Sequence, residues 1–406
     1  MAGEWRASTW GEEISLEYGK ALRGHDETQG RYRVFGSNGP IGWTSEPIAP
    51  GPGVILGRKG AYRGVRYSPR PFFVIDTAYY VVPRSELDMR WLYYAIKHYK
   101  LGEVDDGSPI PSTTRAAVYM LDLDVPPLPE QRAIAHILGT LDDRIELNRR
   151  MNETLEAMAR ALFKSWFVDF DPVRAKVAGR DPGLPKRLAD LFPDSFEDSE
   201  LGEIPEGWRV GVLGDVLQQR VERCVSSTET ASRPYVPIDC ISPRSLSLTE
   251  SKPGAEAQSS LTRFHKGDLL FGAMRPYFHK VCIAPFDGTT RTTAFVLAPR
   301  RRGDFGFGTL LLHHPDTIDY ATRHSTGSTI PYAVWTSSLE HMPVVIPPPA
   351  VRDAFDGKAR PLLDRIAAPY FETNTLAALR DTLLPKLISG ELRISDTRRI
   401  LAGVDA

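Results

Sequence analysis

The chain repeats itself, and the repeat limits its possible folds more than any single motif does. Trp5-Arg6 followed by Gly11-Glu-Glu-Ile14 returns as Trp208-Arg209 followed by Gly214-Asp-Val216, and Gly53-Val-Ile-Leu56 as Gly267-Asp-Leu-Leu270. Thr77-Ala-Tyr-Tyr-Val81 matches Thr293-Ala-Phe-Val296, Gly107-Ser-Pro-Ile-Pro111 matches Gly327-Ser-Thr-Ile-Pro331, and Val125-Pro-Pro127 matches Ile346-Pro-Pro348. Asp143-Arg-Ile145 and Thr154-Leu155 through Leu162 return as Asp364-Arg-Ile366 and Thr375-Leu376 through Leu383. Because the pairs stay collinear, each half reads as a mixed domain followed by a helix.

Within the first half, short β-type runs (Val54 to Leu56, Phe72 to Ile75, Tyr79 to Val82) alternate with Gly/Pro turns and one helical stretch, Met89 to Tyr99. The second half has Leu269 to Phe271, Val281 to Ile283 and Ala294 to Leu297, with a helical patch near Phe307 to His313. The expected class is α+β: two related domains separated by long antiparallel helices.

Pro129-Glu130-Gln131 marks a helix start, since proline tolerates the first turn and the acid faces the positive end of the dipole. Ile134, Ile137, Leu141, Met151, Leu155, Met158 and Leu162 then follow in steps of three and four, a heptad seam interrupted by Arg144 and Asn148. The matching C-terminal seam is Phe355, Leu362, Leu376, Leu379 and Leu383, where Pro361 and Pro369 should kink or interrupt the helix. Ile134, Leu141, Leu155, Leu162, Leu376 and Leu383 are the expected helix-packing or partner-binding positions. A helix of about 35 to 40 residues would be roughly 50 to 60 Å long and would serve as a spacer. The divisions read as a first domain over 1–128, a spacer helix over 129–170, a proline-rich linker over 171–207, a second domain over 208–348, a second spacer helix over 349–394 and a tail over 395–406.

No apolar run approaches the roughly 20 residues that cross a bilayer, no signal peptide is evident, and three cysteines lack metal-ligand spacing. A cytoplasmic protein without structural disulfides or a metal site is expected. The net charge of -1 means that a nucleic-acid site must come from clustering rather than from the total. Clusters exist. No acid lies between Glu46 and Asp76, a stretch that carries Arg58, Lys59, Arg63, Arg66 and Arg70 interleaved with Tyr62 and Tyr67. The second half offers Arg263, Lys266, Arg275, Tyr277, His279 and Lys280, then Arg291. A glycine-rich basic loop lets backbone approach phosphates while arginine supplies forked donors for guanine edges. A second candidate in each half is the polar loop at the shared Gly-Ser pair, with Ser108, Thr113 and Arg115 against Ser328. The same residues also suit charge-protected strand edges and turns that bond their own backbone.

There is no phosphate loop of the G-x-x-x-x-G-K-[ST] type, no HExxH pair and no Pro-Pro flanked as an amino-methyltransferase motif requires. No catalytic residue is assigned.

Val125-Pro-Pro-Leu-Pro-Glu-Gln131, Leu162-Phe-Lys-Ser-Trp-Phe-Val-Asp-Phe-Asp-Pro172, Glu200-Leu-Gly-Glu-Ile-Pro-Glu-Gly-Trp208 and Leu384-Pro-Lys-Leu-Ile-Ser-Gly-Glu-Leu392 resemble the signatures of type I restriction-modification specificity subunits. Gly36-Ser-Asn-Gly39 and Gly57-Arg-Lys-Gly60 resemble a pattern of target-recognition domains in that family. The resemblance implies two target-recognition domains that each read one part of a split double-stranded DNA site. It further implies modification subunits bringing S-adenosylmethionine, and restriction/translocase subunits using ATP and Mg, with no cofactor on this chain. A methyltransferase-only complex, a coiled-coil scaffold without DNA contact and a self-sufficient nuclease or methylase are the alternatives.

Overall fold

In each half a strand entering from a glycine turn is buried on both faces, and a four-stranded sheet forms around it. A computed structural model describes residues 5–23, 30–105, 107, 111–258, 260–327, 329–392 and 394. The chain divides into two compact units, residues 1–144 with 376–406, and residues 145–375.

In the first unit, β1 (Arg6–Thr9) leads into the short helix α1 (Trp10–Glu13), which opens at a Thr9/Glu12 capping box. Then come β2 (Ile14–Tyr18), β3 (Tyr32–Gly36), β4 (Gly39–Thr44), β5 (Gly53–Gly57), β6 (Val65–Ser68), β7 (Phe72–Val74) and β8 (Ala78–Pro83). The main sheet runs β2-β8-β5-β6, and a smaller one β4-β3-β7. Helix α2 (Met89–His98) begins at Asp88, whose carboxylate accepts from the Arg90 and Trp91 N–H groups at 2.9 Å each. It buries Trp91, Leu92, Ala95 and Ile96 in the core with Leu16, Val54 and Leu56. After α3 (Arg115–Tyr119), β9 (Asp122–Val125) returns to pair with β1, Arg6 facing Val125.

The chain then enters α4 (Leu128–Phe167), 40 residues in one helix. Buried Gln131 fastens its start: its amide donates to the Pro126 carbonyl at 2.9 Å while its oxygen accepts from the Asp88 N–H at 2.8 Å. Ile134, Ala135 and Leu138 of α4 share the first unit's core with Leu383, Leu387 and Ile388, and Arg380 pairs with Asp142 at 2.8 Å.

The second unit takes α4 onward through α5 (Asp171–Val177), α6 (Lys186–Ala189), the hairpin β10 (Phe196–Ser199) and β11 (Gly202–Pro205), and β12 (Arg209–Val212). Its main sheet orders β13 (Leu217–Gln219), β19 (Ala294–Pro299), β16 (Leu269–Gly272) and β17 (Val281–Ile283). The smaller sheet orders β14 (Arg223–Cys224), β15 (Leu261–Phe264) and β18 (Gly288–Arg291). Helices α7 (Thr228–Ala231), α8 (Phe305–Leu312) and α9 (Pro315–Arg323) precede β20 (Pro343–Ile346), which pairs with β12 so that Arg209 faces Ile346. The main sheet thus repeats the strand order of the first unit, whereas the smaller sheets differ: β3 is central and parallel to β7 in one, and β15 is central between antiparallel neighbours in the other. The fastening of the following helix, α10 (Pro349–Ala367), repeats as well: Arg352 donates to the Pro347 carbonyl at 3.1 Å and pairs with Asp304, at the start of α8, at 2.7 Å. Helix α11 (Tyr370–Ile388) closes the chain.

The structure corrects the repeat at one place. Gly57 pairs with Ala78 and Gly272 with Ala294, so the counterpart of Leu56 is Phe271 rather than Leu270. Leu56 and Phe271 face the main cores, whereas Ile55 and Leu270 face the smaller ones, and a one-residue slip in a strand exchanges its faces. Residues 171–207 are likewise not a bare connection. Val173, Phe192 and Ile204 are buried with Trp208 against Trp166, Phe167 and Phe170, the Trp166 and Phe192 rings meeting at 5.0 Å and 90°. Proline and charge suggested a linker, but the aromatic residues supply a core.

The helical seam differs as well. Ile134 and Leu383 are buried and Leu141, Leu155, Leu162 and Leu376 half-buried, but Met158 and Leu379 are exposed. The buried positions in the second unit instead step by four through Asn148, Asn152 and Glu156, then Ala159 and Phe163. Asn148 donates to Glu372 (3.1 Å) and Thr373 (3.3 Å), Asn152 to Ser247 (3.0 Å) and to the Ile366 carbonyl (3.2 Å). Rising numbers on α4 meet falling numbers on α10 and α11, so the helices run antiparallel. Pro361 sits inside an unbroken α10, and the interruption falls at Ala368-Pro369, where α11 restarts. Among the described residues no helix is long and apolar enough to cross a membrane.

Removing the Arg352 guanidinium would leave buried Asp304 with Arg301 (3.1 Å) as its remaining cation, so Arg352→Ala should cost about 1.5–3 kcal/mol in urea unfolding of the full chain. Glu156 accepts from the Ser245 hydroxyl (2.8 Å) and the Leu246 N–H (3.0 Å), yet burial raises its pKa above the ordinary value. A raised folded-state pKa means that stability from this group is complete below the unfolded value of about 4.3 and is lost as pH rises through the folded one. The stability of Glu156→Gln relative to the native chain should therefore increase from pH 4 to pH 7, as measured by unfolding midpoints. A pH-independent difference would contradict this.

Candidate nucleic-acid interface

The basic loop of each unit leaves the central strand at a glycine and is tied down by the same backbone hydrogen bonds. In the first unit Gly57 N–H donates to Gly64, Arg58 N–H to Thr77, Gly60 N–H to Pro111 and Thr113 N–H to Arg58, all at 2.9–3.0 Å. In the second, Gly272 donates to Lys280, Ala273 to Thr293, Arg275 to Pro331 and Ala333 to Ala273, all at 2.8–2.9 Å. Arg58 therefore corresponds to Ala273, Lys59 to Met274, Gly60 to Arg275, Arg63 to His279 and Gly64 to Lys280. At Gly57 a Cβ would lie 2.3 Å from the Ser37 carbonyl, so the strand must exit through glycine. Gly60 and Arg275 both adopt positive φ, +103° and +52°. Arginine there carries a backbone cost of roughly 1–2 kcal/mol, which the Pro331 bond helps to hold.

In both units the loop is pinned to the end of the unit's own helix. Arg63 donates to the carbonyls of Gly102 (2.7 Å), Gly60 (3.2 Å) and Val104 (3.5 Å), just past α2. His279 reaches the His313 carbonyl at 3.0 Å, at the end of α8. Burial lowers the pKa of His279, and Arg244 and Arg160 nearby lower it further. Arg63 and His279 thus hold the loop rather than face outward.

The remaining residues separate into exposed and committed groups. Lys59 is exposed and Tyr62 is 79% exposed, while Arg66, also exposed, donates to the Asn38 carbonyl at 3.1 Å. Tyr62, Arg63, Arg66 and Asn38 line a cleft of about 620 Å³ together with Glu103 and Asp105. Arg58 donates to the Asp76 carbonyl at 2.9 Å and lies 5.1 Å from the Tyr18 ring centre, which Arg115 approaches to 4.3 Å. Burial and a hydrogen bond to Tyr18 push the Tyr79 phenol beneath them well above its ordinary pKa, so it stays protonated. Thr113 is completely buried, its hydroxyl donating to Val104 at 3.0 Å, which removes it from the surface; the loop closes over it. In the second unit Tyr277 is exposed, Lys280 is held by the Ile238 carbonyl at 2.8 Å, and Arg263 pairs with Glu229 at 2.8 Å. Arg291 stands exposed at the end of β18, beside the Tyr235 phenol. Among the described residues the side chains of Lys59 and Arg275 make no hydrogen bond or ion pair. Ser108 and Ser328 lie outside the described residues.

Sequence reading missed Tyr18, which lies on β2 far from the basic loop, and Arg160 and Arg244, which stand near His279. No local signal joins them; only the fold does. Replacing Arg63 by Ala would strand carbonyls that it now satisfies, at roughly 1–3 kcal/mol, and should speed hydrogen exchange at Gly57, Gly60 and Gly64. Lys59→Ala should change stability by no more than about 0.5 kcal/mol. Equal effects would refute the assigned roles.

Residues 13–157 match the family model for the type I restriction modification DNA specificity domain. The chain is 28% identical over 338 residues to the type I restriction enzyme MjaIX specificity subunit of Methanocaldococcus jannaschii, covering 78% of this chain and 72% of that one. It is 25% identical over 346 residues to the HindI specificity subunit of Haemophilus influenzae, covering 73% and 74%. The crystal structure of the type I restriction-modification S subunit from M. genitalium superposes with a TM-score of 0.62 at 17% identity, over 94% of this chain and 96% of that one. Their shared fold has two recognition domains and a long central helix.

Proposed function

We propose that this chain, which belongs to the type I restriction-modification specificity-subunit family, reads a two-part double-stranded DNA site with one basic loop from each unit. The observation that carries this reading is the pair of loops fixed by matching backbone hydrogen bonds, each presenting a cation without a partner among the described residues, Lys59 in one and Arg275 in the other. A cation already committed to a protein acceptor has less to offer a phosphate or a guanine edge, whereas these two are available at little cost. Tyr62 and Tyr277 stand exposed beside them.

The chain itself would supply recognition and no chemistry. Modification subunits would bring S-adenosylmethionine, and restriction/translocase subunits ATP and Mg, in a cytoplasmic complex assembled on the helical regions. Helix α4 contributes residues to both units.

Methylome sequencing of cells carrying the system should reveal one bipartite motif. Changes confined to Tyr62 and Arg66 should alter only one half of it, and changes at Tyr277 only the other. Lys59→Ala and Arg275→Ala should each weaken DNA binding by the complex and lower the salt slope of affinity by about 0.9 per lost phosphate contact. Unchanged affinity and slope in the double variant would sink the assignment.

A further inference from the structure

The second unit contains a cavity of about 660 Å³ beside its basic loop, which contributes Tyr277 and His279 to the wall. Its walls are largely apolar: Phe163 from α4, Leu310 from α8, and Pro315 and Ile318 from α9. Arg160 and Lys164, one turn apart on α4, and Arg244 bring positive charge to it. Lys164 pairs with Asp169 and Arg160 with Glu156 at 3.3 Å, but among the described residues the exposed Arg244 side chain makes no hydrogen bond or ion pair. Asp319 and Thr322 complete the polar lining.

Tyr277 and three histidines, His279, His313 and His314, complete the wall. His279 spends its Nε2 on the His313 carbonyl, and the two rings lie 4.3 Å apart. His313 is only 3% exposed, and its own Nε2 is buried with no hydrogen-bond partner. Burial, with smaller contributions from His279 and Arg160, lowers the His313 pKa to about 3, so the ring stays neutral and can act as a neutral hydrogen-bonding group.

The first unit lacks this chemistry. The counterpart of His279 there is Arg63, which donates to the carbonyls of Gly102 and Val104 and lines the cleft that also holds Glu103 and Asp105. In the sequence repeat, Arg160 aligns with Asp381.

We infer that this cavity binds a nucleotide, with the base against Phe163, Leu310 and Ile318 beside the neutral His313 ring, and the phosphate on Arg244 and Arg160. The volume falls within the usual 300–1,000 Å³ of small-ligand sites, and an apolar recess with a few convergent polar groups and a guanidinium is what a planar ring bearing a phosphate requires. The nucleotide has two sources, free in solution or extruded from bound DNA.

The test is calorimetric titration of the full chain with dAMP and, separately, with inorganic phosphate. Saturable dAMP binding is expected, about tenfold or more weaker in Arg244→Glu, which repels the phosphate, and in Thr322→Trp, which fills the cavity, with unfolding midpoints unchanged. Duplex DNA bearing the target site should displace dAMP if the natural occupant is a DNA nucleotide, and should leave it bound if the occupant is free. Phosphate binding as tightly as dAMP and indifferent to Thr322→Trp would overturn the proposal. So would absent dAMP binding together with unaltered DNA affinity in both variants. Either failure leaves the DNA-reading loops untouched, because those are judged by Lys59 and Arg275.

Discussion

A single buried side chain at the start of each long helix holds the architecture of its unit together. Gln131 bonds the Pro126 carbonyl and the Asp88 N–H, and Arg352 bonds the Pro347 carbonyl and the Asp304 carboxylate. Each clamp joins the strand leaving the domain, the helix that follows it, and the start of the domain's own internal helix. Since that internal helix packs on the central strand and its far end receives Arg63 or His279, the clamp also sets where the basic loop stands. The two copies solve one problem with different chemistry, an amide in one and an ion pair in the other.

The interior of α4 shows why a polar stripe can be useful in a long helix. Asn148, Asn152 and Glu156 are each matched to particular partners, and a displacement of either helix would leave several buried donors and acceptors unpaired. Apolar residues alone would tolerate sliding at small cost, whereas these contacts do not. The buried polar face of α4 therefore fixes its register against the helices it packs on.

The loops show how a nearly neutral chain can bind a polyanion. Most of its arginines are committed, to carbonyls as with Arg63, to carboxylates as with Arg263, or to aromatic faces as with Arg58 and Arg115. What distinguishes the proposed contacts is the lack of such commitments at Lys59 and Arg275. The useful quantity is therefore uncommitted local charge rather than net charge.

Much of this was legible in the order of residues. The duplication, the α+β class, the long helix beginning near Pro129 and the basic loops after Gly57 and Gly272 all follow from periodicity, turn residues and charge, which act over a few neighbours. What the sequence could not show is which side of a strand or helix finds a partner. Leu270 and Phe271 are equally apolar in the sequence, and only the register of β16 against β19 gives Phe271 to the main core. Met158 fits a heptad as well as Ala159 does, yet the packing of α4 buries Ala159. Thr113 reads as a surface hydroxyl until the loop closes over it, and His313 as a helix end until α4, α8 and α9 enclose its imidazole. Local chemistry determined the elements and their order; burial and pairing, which depend on residues hundreds of positions apart, decided which side chains were left exposed and uncommitted.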